Sequence, residues 1–167
     1  PWLSVRDNIL FGAGSVEHAH AESRLAHVLP LLGLESVASR LPHQLSGGMK
    51  QRCAFARALV SEHPLLILDE PFGGTDFVLR ETLYRMVQRE SDNQRATILV
   101  THDIVEAVLL ADQIVVLAGH PTGIVRATFE GIPRMERSLE NGAFQGQALD
   151  LERRIRLSFR DLKPGNL

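Results

Sequence analysis

Leu65-Leu66-Ile67-Leu68-Asp69-Glu70-Pro71 is the stretch on which the fold turns. Four consecutive apolar residues, bounded by His63-Pro64 on one side and Pro71 on the other, are too short for a buried helix. They predict a parallel strand buried on both faces. Two adjacent carboxylates follow at its C-terminal end. Ligands of open α/β sheets bind at that edge. Neighbouring strand residues point opposite ways, so Asp69 and Glu70 can serve different tasks, one toward a metal ion and one toward a water. A strand ending in a solvated acidic turn fits the same letters.

Downstream, residues 96–101 repeat the pattern: Thr97-Ile98-Leu99-Val100 predicts a second buried strand, and it ends at Thr101-His102-Asp103. An amphipathic helix is predicted over 76–90, between the two strands. Strand, helix, strand in this order argues a parallel sheet with helical crossovers. A helix over 104–110, a strand over 113–118 and a fourth strand over 123–129 follow, the last pair separated by the turn at His120-Pro121-Thr122-Gly123. A polar stretch with Gly131, Pro133, Gly142 and Gly146 leads to a charged helix over 148–160.

Upstream, the chain reads as helical. A short helix and turn occupy 1–14. Leu25, Val28, Leu29 and Leu32 recur at helical spacing over 17–32, with Pro30 placed to kink the helix and Gly33 to stop it. A helical turn over 34–43 ends at Pro42. A helix over 49–60 then has an apolar face of Met49, Cys53, Ala56 and Val60.

Ser46-Gly47-Gly48 feeds straight into the N-terminus of that helix. Glycine lets a ligand approach the backbone, and the first helical N–H groups are unpaired at the positive end of the dipole. The combination suits phosphate. A Ser46 cap followed by a glycine turn accounts for the same three residues.

Composition sets the class. The chain has 167 residues, 44% hydrophobic and 23% charged, enough for one domain with a real core. A net charge of −2 gives no reason to expect nucleic-acid binding. Of the 18 basic residues, only Lys50 and Lys163 are lysine. The single cysteine, Cys53, allows no internal disulfide and fits core packing in a cytosolic setting. No apolar run is long enough to span a membrane. His18, His20 and His27 lack the spacing and company of a metal site.

Taken in order and spacing, these segments resemble the ATP-binding cassette (ABC) transporter ATPases. Leu45 to Arg52 resembles the family's signature motif, with Met49 where glutamine is usual. Residues 65–70 resemble the Walker B strand with its catalytic glutamate, and His102 matches the switch histidine. Gly73-Gly74-Thr75-Asp76 occupies the D-loop position and keeps only its aspartate. Pro1-Trp2-Leu3-Ser4-Val5 and Asn8-Ile9 resemble the stretch after the Q-loop. Leu110 to Leu117, with Pro121 and Gly123-Ile124-Val125, is similar to ATPases of nitrate, sulfonate and taurine importers.

The resemblance implies an α/β fold of partial P-loop NTPase type. It comprises a helical subdomain with the signature over 1–62, a RecA-like part over 63–130, and a C-terminal extension over 131–167. It implies ATP and Mg2+ as cofactors. Glu70 would act as general base and His102 as γ-phosphate sensor. Asp69 would hold magnesium through water. Ser46, Gly47 and Gly48, with Gln44 and Asp76, would form the nucleotide-binding set. The implied partners are a second ATPase subunit paired head to tail, transmembrane permease subunits and, indirectly, a solute-binding protein, with no nucleic acid. The implied place is the cytoplasmic face of the plasma membrane, bound peripherally. No Gly-x-x-x-x-Gly-Lys-Ser/Thr occurs in the sequence. The expectation is therefore an N-terminal truncation and a chain that does not hydrolyse ATP alone. A soluble ABC ATPase of repair or translation and a degenerate, non-catalytic partner are the alternatives.

Overall fold

The computed structural model describes residues 1–14, 17–92, 95–118, 123–137 and 142–159. The chain forms two compact units, Pro1–Val100 and Thr101–Leu167.

The first unit opens with α1 (Val5–Phe11), whose N-terminus is capped by the Ser4 side chain accepting from the Asp7 N–H. Helix α2 (His18–Leu31) follows, with Pro30 in its last turn, where the helix is already ending. Gly33 takes a left-handed φ of 59° there, as the sequence predicts for a stop. Two short 3-10 turns come next, Glu35–Val37 and Pro42–Gln44. The second begins at Pro42 rather than ending there, because proline's fixed φ suits a first helical position. Helix α3 (Gly47–Val60) starts two residues earlier than its apolar face suggests. Cys53, Ala56 and Val60 are buried on that face, joined by Phe55 and Leu59, and α1 and α2 pack against it.

Strand β1 (Leu65–Asp69) pairs in parallel with β2 (Ala96–Val100), Leu65 beside Ala96 through Asp69 beside Val100. Helix α4 (Phe77–Asp92) makes the crossover. Within these 167 residues the strands are covered on one face, not buried on both as expected. Leu66 and Leu68 are 2% and 4% exposed, whereas Ile67 is 61% and Ile98 and Val100 are 50%. α3 packs on β1 and α4 on β2. Among the described residues, a two-stranded sheet clothed by these helices leaves its alternate positions open, whatever their hydrophobicity.

The second unit holds α5 (Ile104–Leu110), β3 (Gln113–Ala118), β4 (Ile124–Glu130), a 3-10 turn at Arg134–Glu136 and α6 (Gly142–Phe159). β3 and β4 are antiparallel, which departs from the expected parallel arrangement. The link between them is too short for a crossover. Residues 120–122 of the predicted turn lie outside the described residues. α6 begins six residues before the predicted helix and absorbs Gly142 and Gly146. The cause is tertiary: Phe144, Leu151 and Ile155 of α6 are all under 5% exposed, and α5 and β4 pack on it. That burial outweighs glycine's poor helix propensity. In the arginine run of α6, Arg154 stacks over the Phe129 ring at 5.5 Å and Arg156 pairs with Glu152.

Arg134, Arg137 and Asp112 form a cluster in the second unit. Arg137, its side chain 4% exposed, donates from Nε to Ile132 O (2.6 Å), from Nη1 to Leu110 O (2.9 Å) and from Nη2 to Ala111 O (3.0 Å). Nη2 also reaches Asp112 Oδ1 at 2.7 Å, and Arg134 holds the same carboxylate from outside. Chiefly through the Arg134 hydrogen bond, and through Arg137, the Asp112 carboxyl is lowered to about 2.

Candidate functional site: the Ser46 loop and the Glu70 turn

The N-terminus of α3 is built as the sequence suggests. Ser46 is its N-cap, and its Oγ accepts from the Met49 N–H at 3.3 Å. Lys50 N then donates to Ser46 O at 3.0 Å, so the helix ladder begins there. The N–H groups of Gly47 and Gly48 fall in the first turn, where no helical carbonyl precedes them. A Cβ at Gly47 would meet nothing within 4 Å, and one at Gly48 would come no nearer than 4.0 Å to Gly74 O. The loop therefore faces open space with amide donors and a hydroxyl. That chemistry fits a phosphate group.

Two further contacts aim this helix. Arg52 donates from Nη1 to Leu32 O at the end of α2 (2.7 Å) and from Nε to Gly48 O (3.3 Å). Gln44, in the turn before the loop, folds its amide oxygen back onto the Leu41 N–H at 2.9 Å. Behind the loop, Cys53 is buried and its thiol sits 3.9 Å from Val5 O. Burial pushes its pKa up, only partly offset by Arg57. This is a packed core cysteine, as expected.

Asp69 ends β1 and is exposed. Glu70 is half-buried, and its backbone is the feature that sequence reasoning missed. Its φ is +46°, left-handed, the one such non-glycine among the described residues. Glutamate rarely goes there, at about 1–2 kcal/mol. Pro71 next to it gives no warning, since a residue before proline is biased toward extended backbone. Three hydrogen bonds hold the Glu70 backbone. Glu70 N donates to Val100 O at 2.9 Å, continuing the ladder one residue past β2's pairing. Gln51 Nε2 donates to Glu70 O at 2.7 Å, and Gly73 N reaches the same oxygen at 3.4 Å. The structure thus brings the Ser46 loop and the Glu70 turn together through one helix, with Gln51 a single turn past Gly47 and Gly48.

Asp76 is placed as the cap of α4, its Oδ1 accepting from the Leu79 N–H at 2.9 Å. Gly74 takes a φ of 66° in the loop before it. His102 lies in the second unit, exposed, directly before Asp103. Asp103, not His102, caps α5, accepting from the Val105 N–H at 2.9 Å. Among the described residues no group of three or more His, Cys, Asp or Glu could hold a metal unaided. No helix among them is long and apolar enough to cross a membrane.

Comparison with known proteins gives the following likenesses. Residues 1–73 match the family described as "ABC transporter". The chain is 40% identical over 153 residues to the aliphatic sulfonates import ATP-binding protein SsuB 1 of Pseudomonas aeruginosa, covering 89% of this chain and 60% of that protein. It is 38% identical over 146 residues to the nitrate import ATP-binding protein NrtC of Synechococcus elongatus, covering 84% of this chain and 22% of that one. The chain thus spans only part of the curated relatives it matches. Among solved structures, an ATP-binding subunit of an ABC transporter superposes with a TM-score of 0.73 at 28% identity, over 93% of this chain and 63% of that one. A dimeric ATP-binding cassette in a post-hydrolysis state, bound to ADP and phosphate, superposes with a TM-score of 0.58 at 29% identity, over 69% and 52%. Over residues 1–73, and in its relatives and superposed structures, the chain is similar to the ABC family of ATP-binding proteins.

Proposed function

We propose that this chain supplies the signature loop, the Walker B carboxylates and the switch histidine of the ATPase subunit of an importer for a small anion or organosulfur solute. Relatives named for sulfonate and nitrate import support the solute class. The observation that carries the reading is the link between an open, amide-lined helix N-terminus and the Glu70 turn at the end of a parallel strand, made by Gln51 Nε2 donating to the Glu70 backbone carbonyl at 2.7 Å.

In this reading, Ser46, Gly47 and Gly48 touch the γ-phosphate of ATP held by a second ATPase subunit paired head to tail. That subunit pairing is supported by the dimeric cassette at a TM-score of 0.58. Glu70 accepts a proton from the attacking water, the general-base step. Asp69 is free of the turn's hydrogen bonds and offers a hard oxygen donor of the kind Mg2+ takes, directly or through water. Mg2+ supplies charge neutralisation on the phosphate oxygens. His102 is the γ-phosphate sensor in this reading. Asp76 reaches toward the partner subunit from the start of α4, and Gln44 borders the loop. Transmembrane permease subunits receive the closing motion on the cytoplasmic face of the plasma membrane, and a solute-binding protein delivers the cargo.

The sequence has no Gly-x-x-x-x-Gly-Lys-Ser/Thr, so these 167 residues contain no phosphate cradle of that kind. Phosphoryl transfer depends on positioning and charge stabilisation. The 167-residue chain alone is therefore expected to give no turnover. A coupled phosphate-release assay on the chain, and on the ATPase assembly that contains it, tests both halves. The assembly should lose about a hundredfold or more in kcat with Glu70→Gln. Turnover by the chain alone, or an unaffected Glu70→Gln assembly, refutes the reading.

A further inference from the structure

We infer that Gln51 is a positioning residue. It locks Glu70 into its left-handed backbone conformation and so ties the carboxylate's placement to the helix that carries the Ser46 loop. This inference rests on the reading of Glu70 as the base.

The geometry is specific. Gln51 lies in the first turns of α3, on the same helix whose N-terminus presents Gly47 and Gly48. Its Nε2 donates to the carbonyl of the one non-glycine residue held at positive φ among the described residues. Together with the Glu70 N–H bond to Val100 O, this bond holds the backbone from which the side chain leaves the strand end. The space is shaped around this contact. A Cβ on Gly73 would stand 3.5 Å from Gln51 Nε2 and 3.7 Å from Glu70 O, so the loop lies against both. Gly73 N gives the same oxygen only a long bond, 3.4 Å, leaving the 2.7 Å bond from Gln51 as the principal hold. The other anchor, Glu70 N to Val100 O, fixes the residue's entry from the sheet but not its exit. A shift of the α3 N-terminus on contact with phosphate would be transmitted through one side chain to the Glu70 turn. A donor at this length is required. Alanine removes it, and glutamate at neutral pH replaces a donor with an anion facing a carbonyl oxygen.

The test has two arms. In the 167-residue chain, Gln51→Ala should speed amide hydrogen exchange at Glu70 and Gly73 by about fivefold, the scale of one hydrogen bond. In a Glu70→Gly background the same substitution should change these rates less than about twofold, because glycine enters left-handed φ unaided. Equal effects in both backgrounds, or none in either, overturn the inference. In the ATPase assembly, Gln51→Ala and Gln51→Glu should each lower kcat about tenfold while leaving the KM for MgATP within about twofold, since a misplaced base affects the chemical step and not binding. An unchanged kcat, or a loss confined to KM, overturns it as well. Failure of the base assignment itself would be seen separately, as an active Glu70→Gln assembly with the exchange result intact.

Discussion

Arg137→Ala should cost the second unit about 3–5 kcal/mol, far more than removal of its exposed neighbour Arg134. The guanidinium is 4% exposed and donates to three backbone carbonyls, Leu110, Ala111 and Ile132, at 2.6–3.0 Å. Hydrogen bonds to a charged group contribute about 1.5–3 kcal/mol each. Ile132 is buried, and its carbonyl is the hardest of the three for water to reach after truncation. Residues 110 and 111 are half-buried, so water replaces part of what they lose. The ion pair with Asp112 adds little, because that carboxylate is 54% exposed and such pairs contribute about 0–1 kcal/mol. Arg134 is 42% exposed at its side chain, and Arg134→Ala, which removes its pair with Asp112, should cost about 1 kcal/mol or less. Arg137→Lys keeps the charge but loses the planar fork that serves three carbonyls at once, and should recover less than about half of the loss. Urea unfolding reads the total. Exchange of the Gly131 amide, which donates to Asp112 O at 2.8 Å, reads the same loop locally. Equal losses for Arg134→Ala and Arg137→Ala would refute the reasoning, since charge rather than buried carbonyl satisfaction would then be the cause.

Asp112 makes an acid-sensitive contribution to the same unit: its folded pKa, about 2, lies below the ordinary 3.8, so the stability is present above pH 4 and is lost as pH falls through 2. Asp112→Asn should flatten that decline, and the carboxylate's NMR titration should stay depressed in Arg137→Ala, because the hydrogen bond from Arg134 is its largest cause. Gly12→Ala should lower the melting temperature of the first unit, since its Cβ would land 2.3 Å from Arg57 O, on the α3 backbone, with overpacking costing about 1–3 kcal/mol; an unchanged melt would show that α1 shifts freely. Ser46→Ala should cost about 1 kcal/mol through the lost cap on Met49 N while Ser46→Thr keeps most of it, read by urea unfolding.

Much of this was legible in the letters, for local reasons. The caps at Ser46 and the stop at Gly33 are written in one residue each, and the structure uses both. The parallel pairing of β1 and β2 followed from two apolar runs separated by a helix. The failures were tertiary. A run such as Leu65 to Leu68 states that the strand tolerates burial on both sides, and within these 167 residues one side is covered, Ile67 being 61% exposed. Gly142 and Gly146 read as loop by propensity, yet Phe144 two residues from each draws the helix back over them. The hairpin of β3 and β4 was recoverable from the shortness of its connection, a count that alternation of elements obscured.

The Glu70 turn marks the boundary of sequence reading more sharply. Positive φ is ordinarily announced by glycine, and glycines do stand nearby at 73 and 74, where Gly74 alone uses the freedom. Glu70 does so without the glycine, and in front of a proline. A left-handed glutamate costs about 1–2 kcal/mol, and strain of this kind persists only where neighbours over-determine it. Here the over-determination comes from opposite directions in the chain: Val100, thirty residues later, takes the N–H, and Gln51, nineteen residues earlier, holds the carbonyl. Neither contact has any local signature. The carboxylate's identity is therefore a property of the strand that ends in Asp69-Glu70, while its direction is a property of the α3 helix. A substitution at Gln51 in that helix is therefore expected to disturb the Glu70 turn while leaving the carboxylate itself in the sequence.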